Sequence, residues 1–292
     1  MLQQIPMKLR DWIDKSKLVW KELSSNPNAI QLLEQNQNKI NWKNLSENPN
    51  AVPILEANLE KINWFWLSRN LNAIHLLEAN QEKIYDWYWL SQNPNAIHLL
   101  ERNPEKINWK NLSENPNAVP ILELNLDKIS WFLLSKNPNA IHILELNPDK
   151  ISWDWLSFNS NAIHLLEQNQ DKIDWNWLSR NPNAIHLLVQ NPDKIDWAWL
   201  SRNPNAIQLL EQNQDKINWD YLSMNPKAIH ILERNIDKIN WYYLSINTSI
   251  FIYDYKAMRD SYKELKEELI QATWHPSRVA KWLENGINLD DL

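Results

Sequence analysis

NPNAIHLLVQNPDKIDWAWLSR, residues 181–202, decides the fold, because the chain writes it again and again. Asn26, Asn48, Asn70, Asn93, Asn115, Asn137, Asn159, Asn181, Asn203, Asn225 and Asn247 follow one another in steps of 22 residues, with one step of 23. They bound ten complete repeats. Each slot is named here by its number in the first repeat. Slots 26, 29, 33, 36, 39, 40, 42, 45 and 46 hold Asn, Ala, Leu, Asn, Lys, Ile, Trp, Leu and Ser in every copy. Slot 34 is Glu except at Val189, and slots 31, 35, 37, 43, 44 and 47 vary.

This grammar predicts two short helices per repeat. Pro27 to Gln35 is built of helix formers with apolar residues at 29, 30, 32 and 33, a single buried stripe. Asn followed by Pro suits a cap and the first helical position. The second helix runs from Trp42 to about Ser46. Slot 41, restricted to Asn, Asp or Ser, is its cap. Pro53 and Pro120 at slot 31 leave the start of the first helix open by two residues. A β-solenoid would alternate polar and apolar residues and favour β-branched ones; here apolar residues come in pairs among Ala, Leu, Glu and Gln. The fold class is therefore all-α: an α-solenoid of two short helices per 22-residue repeat, with a helical C-terminal cap.

A repeat this small cannot bury its own apolar face and must stack on its neighbours. Ten repeats at the spacing of packed helices predict a rod or superhelix on the order of 90–100 Å long. The Trp42 column (Trp42, Trp64, Trp87 and on to Trp241) is predicted as its core pillar, with Trp153→Ala costing about 3–5 kcal/mol. Residues 1–25 read as an N-terminal capping half repeat, since Leu18, Trp20, Leu23 and Ser24 fit slots 40, 42, 45 and 46. Residues 26–247 are the ten repeats, and 248–292 a helical C-terminal cap with an acidic tail. In that cap Tyr255, Met258, Tyr262, Leu265 and Leu269 share a stripe, and a second helix opens at Pro276 and ends at Gly286.

Composition narrows the chemistry. Among 292 residues Gly286 is the only glycine, so Asn and Pro make the turns and no phosphate-cradling glycine loop exists. There is no cysteine, hence no thiolate and no disulfide. The formal net charge of −6 makes a nucleic-acid partner unexpected. No apolar run reaches the roughly 18 residues of a membrane span, and charges interrupt the N-terminal apolar stretch. The expectation is an intracellular protein, not secreted, without a membrane partner.

EELIQATWHPSRVAKWLENGINLDDL, residues 267–292, and YDYKAM, residues 253–258, carry a resemblance. With the Asn/Trp repeat, they resemble uncharacterised Asn/Trp-rich repeat proteins of giant nucleocytoplasmic DNA viruses similar to mimivirus. The resemblance implies a viral protein of the host cytoplasm or the virion. It carries over no catalytic residues.

Six histidines, His75, His98, His142, His164, His186 and His230, occupy slot 31. They stand one repeat apart, too far to converge on one metal ion, and Gln or Pro replaces them elsewhere. They read as a solvent-facing row that gains charge near pH 5. Glu34 and Lys39 read as salt bridges between repeats. The Ser46 slot reads as a backbone-bonding group at the helix end, and the Asn36 slot as one that bonds turn amides. Slot 44 is sharper: Trp66, Trp89, Trp155, Trp177, Trp199, Tyr221 and Tyr243, against Asn44, Asn111 and Leu133. Two readings stand, a wedge between repeats or an exposed aromatic stripe for a protein partner. With the six histidines, these residues are the candidate partner-binding stripe. No catalytic, cofactor or metal residues are expected, and the reading is a non-enzymatic scaffold for protein–protein interaction. The alternative is a structural component of a virion or viral factory whose repeat number sets a length.

Overall fold

The computed structural model describes residues 5–84 and 87–284. Tyr85 and Asp86, where the extra residue of the 23-residue step lies, fall outside them, as do Gly286 and the acidic tail. The chain forms two compact bodies, Arg10–Ile250 and the segment up to Leu9 with that from Phe251 on.

Arg10–Ile250 is the all-α solenoid. Each repeat carries a first helix such as Ile185–Gln190, a single 3-10 turn such as Pro192–Lys194, and a second helix such as Trp197–Ser201. Slot 41 caps the second helix: the Asp196 side chain accepts from the Trp199 amide at 2.9 Å. Asn41, Asn63, Asn108, Asp174, Asn218 and Asn240 do the same, whereas Ser130 and Ser152 make no such bond. The proline question resolves on backbone grounds. The α-helix starts at Val52, so Pro53 is its second residue and costs no internal bond. The Asn36 slot bonds differently from expectation: Asn36 Nδ2 donates to the Leu32 carbonyl at 2.8 Å, closing the end of the helix before the turn.

Fully buried positions are the Ala29, Leu33 and Leu45 slots together with polar Asn26 and Ser46. The Trp42 column is not the buried pillar. Only Trp87 is buried, and the others are half-buried. The reason is that one indole face is left for the lysine of the next repeat. Lys39 Nζ lies 4.4 Å from the Trp20 centroid, and ten such pairs among the described residues span 4.4–5.2 Å. The Lys39 slot therefore covers tryptophan and does not pair with Glu34.

Buried polar groups stitch the repeats together. Asn48 Nδ2 donates to the carbonyl of Asn26, which opens the preceding repeat, and to that of Ser24 just before it, both at 3.0 Å, while its Oδ1 accepts from the Asn50 amide. An Asp has no donor for those two carbonyls. Ser24 Oγ donates to the Trp20 carbonyl and accepts from the Asn41 amide of the following repeat. The serine thus ends one helix and ties down the cap of the next.

These bonds continue past the last repeat and return to the first. Asn26 Nδ2 donates to the carbonyls of Ser245 and Asn247 at 3.0 and 3.1 Å. The Val19 amide donates to Ser245 Oγ at 2.9 Å, and Asn28 Nδ2 to the Thr248 carbonyl at 3.0 Å. Lys17 sits over Trp241, helix Trp20–Leu23 packs on helix Trp241–Ile246, and the Arg10 amide reaches the Ile250 carbonyl at 2.9 Å. An open rod cannot bring its first and last repeats into this register. The solenoid is a closed ring of eleven repeats, and the eleventh is split: Asn247–Ile250 opens it and Arg10–Ser24 completes it. Eleven repeats at the ~8–10 Å spacing of packed helices put the helix layer about 15 Å from the axis.

In the other body Met7–Leu9 and Phe251–Tyr253 pair antiparallel, Lys8 opposite Ile252. Helix Tyr255–Thr273 follows, capped by Asp254, and then helix Pro276–Glu284. Tyr255, Tyr262 and Leu269 of the sequence-predicted stripe are exposed.

Candidate functional site: the inner aromatic row

Second helices of neighbouring repeats pack more closely than first helices do. On a closed array the spacing of equivalent points grows with distance from the axis, so the second helices form the inner layer. Slot 44 projects further inward still. Its ring centroids are 4.8 Å apart at Trp155–Trp177, 5.5 Å at Trp177–Trp199, 5.2 Å at Trp199–Tyr221 and 6.5 Å at Tyr221–Tyr243. Those values fall below the usual spacing of packed helices. A second arc joins Trp66 to Trp89 at 6.4 Å.

The two sequence readings of slot 44 therefore merge. The rings lie against one another from repeat to repeat within each arc, stacked at Trp66–Trp89, Trp177–Trp199 and Trp199–Tyr221 and tilted at Trp155–Trp177 and Tyr221–Tyr243, and all seven remain half-buried. Beside them slot 43 carries exposed rings, Phe65, Tyr88, Phe132 and Tyr242. Phe132 stands edge-on to Trp155 at 5.5 Å and Tyr242 edge-on to Tyr243 at 5.3 Å. Slot 47 adds cations on the ring faces: Arg69 over Trp66 and Trp89, Lys136 over Trp155, and Arg180 over Trp199. Slot 43 contributes Lys43 over Trp66.

The row is broken twice, at Asn111–Leu133 and where the ring closes. There the slot-44 residue of the split repeat is Glu22, a buried carboxylate that the repeat count from Asn26 did not include. Hydrogen bonding to Glu22 holds the Tyr242 phenol above its usual pKa, with burial adding to the effect. Glu47 next to it is also raised. Burial is the main cause, opposed by Arg69, and the Glu22 charge contributes.

The histidine row lies elsewhere. His75, His98, His142, His164, His186 and His230 stand on the first helices, so the structure does not join them to the aromatic row. They are not free side chains. Each Nε2 lies 2.6–2.9 Å from the slot-34 glutamate of the preceding repeat: Glu56, Glu78, Glu123, Glu145, Glu167 and Glu211. Slot 34 therefore pairs with histidine, not with lysine. Pairs that stay about half exposed contribute little to stability. Among the described residues no three His, Asp or Glu side chains form a group that could hold a metal ion, and no helix is long and apolar enough to cross a membrane.

The chain matches no protein-family model, no curated protein and no solved structure.

Proposed function

We propose that the chain is a non-enzymatic ring scaffold that holds a protein partner against its inner aromatic face. One observation carries this reading: the unbroken row of ring contacts from Trp155 to Tyr243, edged by the exposed rings Phe132 and Tyr242. The helices that bear Trp177, Trp199, Tyr221 and Tyr243 are capped at slot 41, and the slot-46 serines tie each cap to the repeat before it, so these rings are ordered before any partner arrives. Pre-ordered aromatic side chains give binding energy at small entropic cost, and Trp and Tyr dominate the centres of protein interfaces. A giant-virus origin, with action in the infected cell, belongs to the same proposal and is supported by the C-terminal resemblance. In a closed array the repeat number sets a circumference, so the reading in which it sets a length finds no support here.

The test compares partners retained from infected cells by the intact chain, by Trp177→Ala/Trp199→Ala and by Phe132→Ser/Tyr242→Ser, with folding checked by circular dichroism. The expected result is loss of the same partner from both variants. An identical partner set on all three chains sinks the reading.

A further inference from the structure

Three cations at slot 47 take the same position, over the slot-44 ring of the following repeat. Arg69 is 4.5 Å from the Trp89 centroid, Lys136 is 5.1 Å from Trp155, and Arg180 is 5.2 Å from Trp199. Two of them are neutralised from the slot-47 residue one repeat earlier. Glu47 pairs with Arg69 at 3.2 Å, and Glu114 pairs with Lys136. At the third, the earlier slot-47 residue is Phe158, whose ring lies 4.9 Å from the Arg180 guanidinium. The next slot-47 residue is again a cation, Arg202, and beyond it come Met224 and Ile246.

Arg180 and Arg202 have no ion pair with a carboxylate among the described residues. The acids of neighbouring second helices, Asp154 and Asp220, stand at slot 43, and Asp220 accepts instead from Asn240. Burial lowers the Arg180 pKa, and the charge of Arg202 lowers it further. Arg180 is thus partly desolvated beside the Phe158 and Trp199 rings, and Arg202, at the same slot one repeat on, adds a like charge near it. A carboxylate placed there recovers the lost solvation, and this chain itself supplies one at both equivalent places. Phe158 also lines an open depression of about 350 Å³ with Pro138, Asn159, Ser160, Pro182 and the Glu114–Lys136 ion pair, whose charges already answer each other.

The geometry points to Arg180 and Arg202 as the anchor for an acidic side chain of the protein partner, with an adjacent apolar side chain of that partner in the depression beside Phe158. This rests on the proposed function, that the aromatic face holds a protein. Nucleic acid fits less well. A phosphate backbone needs a run of cations, whereas this run is two residues long, ends in Phe158 and Met224, and belongs to a chain of net charge −6.

The test uses the full chain and fluorescence anisotropy. The probes are a labelled short peptide with a Phe-Asp-Asp-Leu centre, its Phe-Asn-Asn-Leu counterpart and labelled oligothymidylate. The acidic peptide binds. The Asn counterpart binds about tenfold more weakly or worse, as does the acidic peptide to Arg180→Gln/Arg202→Gln, since a charge-assisted pair is lost. Phe158→Glu supplies the internal carboxylate seen at Glu47 and Glu114, and it weakens the acidic peptide while leaving both arginines in place. Arg234→Gln, on an exposed first-helix position, changes nothing. Equal binding of the two peptides, unchanged binding by the arginine variant, no binding of the acidic peptide, or preferential binding of oligothymidylate each overturns the assignment. If these arms fail while partner retention still depends on Trp177 and Trp199, the aromatic face stands and only the acidic anchor falls.

Discussion

Two junctions of the ring differ in the continuity of the chain. Between Asn181 and Asn203 the polypeptide runs through; between Asn247 and Asn26 it does not. The hydrogen bonds are nonetheless the same. Asn203 Nδ2 donates to the Ser179 and Asn181 carbonyls at 3.1 and 2.9 Å, and Asn26 Nδ2 to those of Ser245 and Asn247 at 3.0 and 3.1 Å. The seam adds Glu22 in place of an aromatic ring, and its Lys17–Trp241 contact, 5.2 Å, is the longest of the ten that place a lysine over the tryptophan of the repeat before. Closure therefore needs no special lock. The same pair of bonds recurs at the seam as at an interior junction, and eleven such steps return to the start.

The largest effect comes from removing the part of the seam that the N-terminal segment supplies. Deleting residues 1–25 discards Ile13, Leu18 and Leu23, at 8%, 4% and 0% exposure. Each buried aliphatic side chain of this kind is worth about 1.5–3 kcal/mol, so the loss is about 5–9 kcal/mol. Urea unfolding of the two chains measures it. An unchanged midpoint would mean that the ring stands open in solution.

A smaller change tests whether the seam equals an interior junction. Asn181→Ala and Asn26→Ala each orphan two buried carbonyls and an amide. The expected cost is about 2–4 kcal/mol at either place. Equal losses in urea melts support a uniform ring. A loss below about 1 kcal/mol at Asn26, with the full loss at Asn181, breaks the equivalence.

The fate of individual residues shows what the sequence exposes and what it hides. Caps and helices were legible because their demands are local: Asp196 caps because Asp offers an acceptor to the Trp199 amide. Closure was not legible, because the rotation per repeat is a sum over many packing contacts that no single residue encodes. Its trace was present all the same. Leu18, Trp20, Leu23 and Ser24 end a repeat, and Asn247 to Ile250 begin one, so the two ends together make a whole. Slot 44 was visible by residue type, but whether its rings wedge or line a surface depends on their distance from an axis that the sequence does not reveal. Arg180 and Arg202 escaped notice because slot 47 obeys no type rule. Only the pairing of Glu47 with Arg69 and of Glu114 with Lys136, seen in space, makes the missing carboxylate conspicuous.

The smallest effect is electrostatic and falls on the slot-47 glutamate beside the seam. Glu47 and Glu114 each pair with the following slot-47 cation, but Glu47 lies next to the seam, within reach of the Glu22 charge. Burial raises the Glu47 pKa above its usual value, Arg69 opposes this, and Glu22 adds to it. A carboxyl whose pKa is raised on folding holds its proton more tightly in the folded chain. Between the ordinary value and the raised one the folded state carries the extra proton, so stability falls as pH rises through that window. Glu47→Gln cannot titrate and escapes this fall. Its melting temperature relative to the intact chain should climb as pH rises above the ordinary glutamate value and level off once the intact carboxyl is ionised in the folded chain. A pH-independent difference for Glu47→Gln would remove burial and Glu22 as influences on this carboxyl.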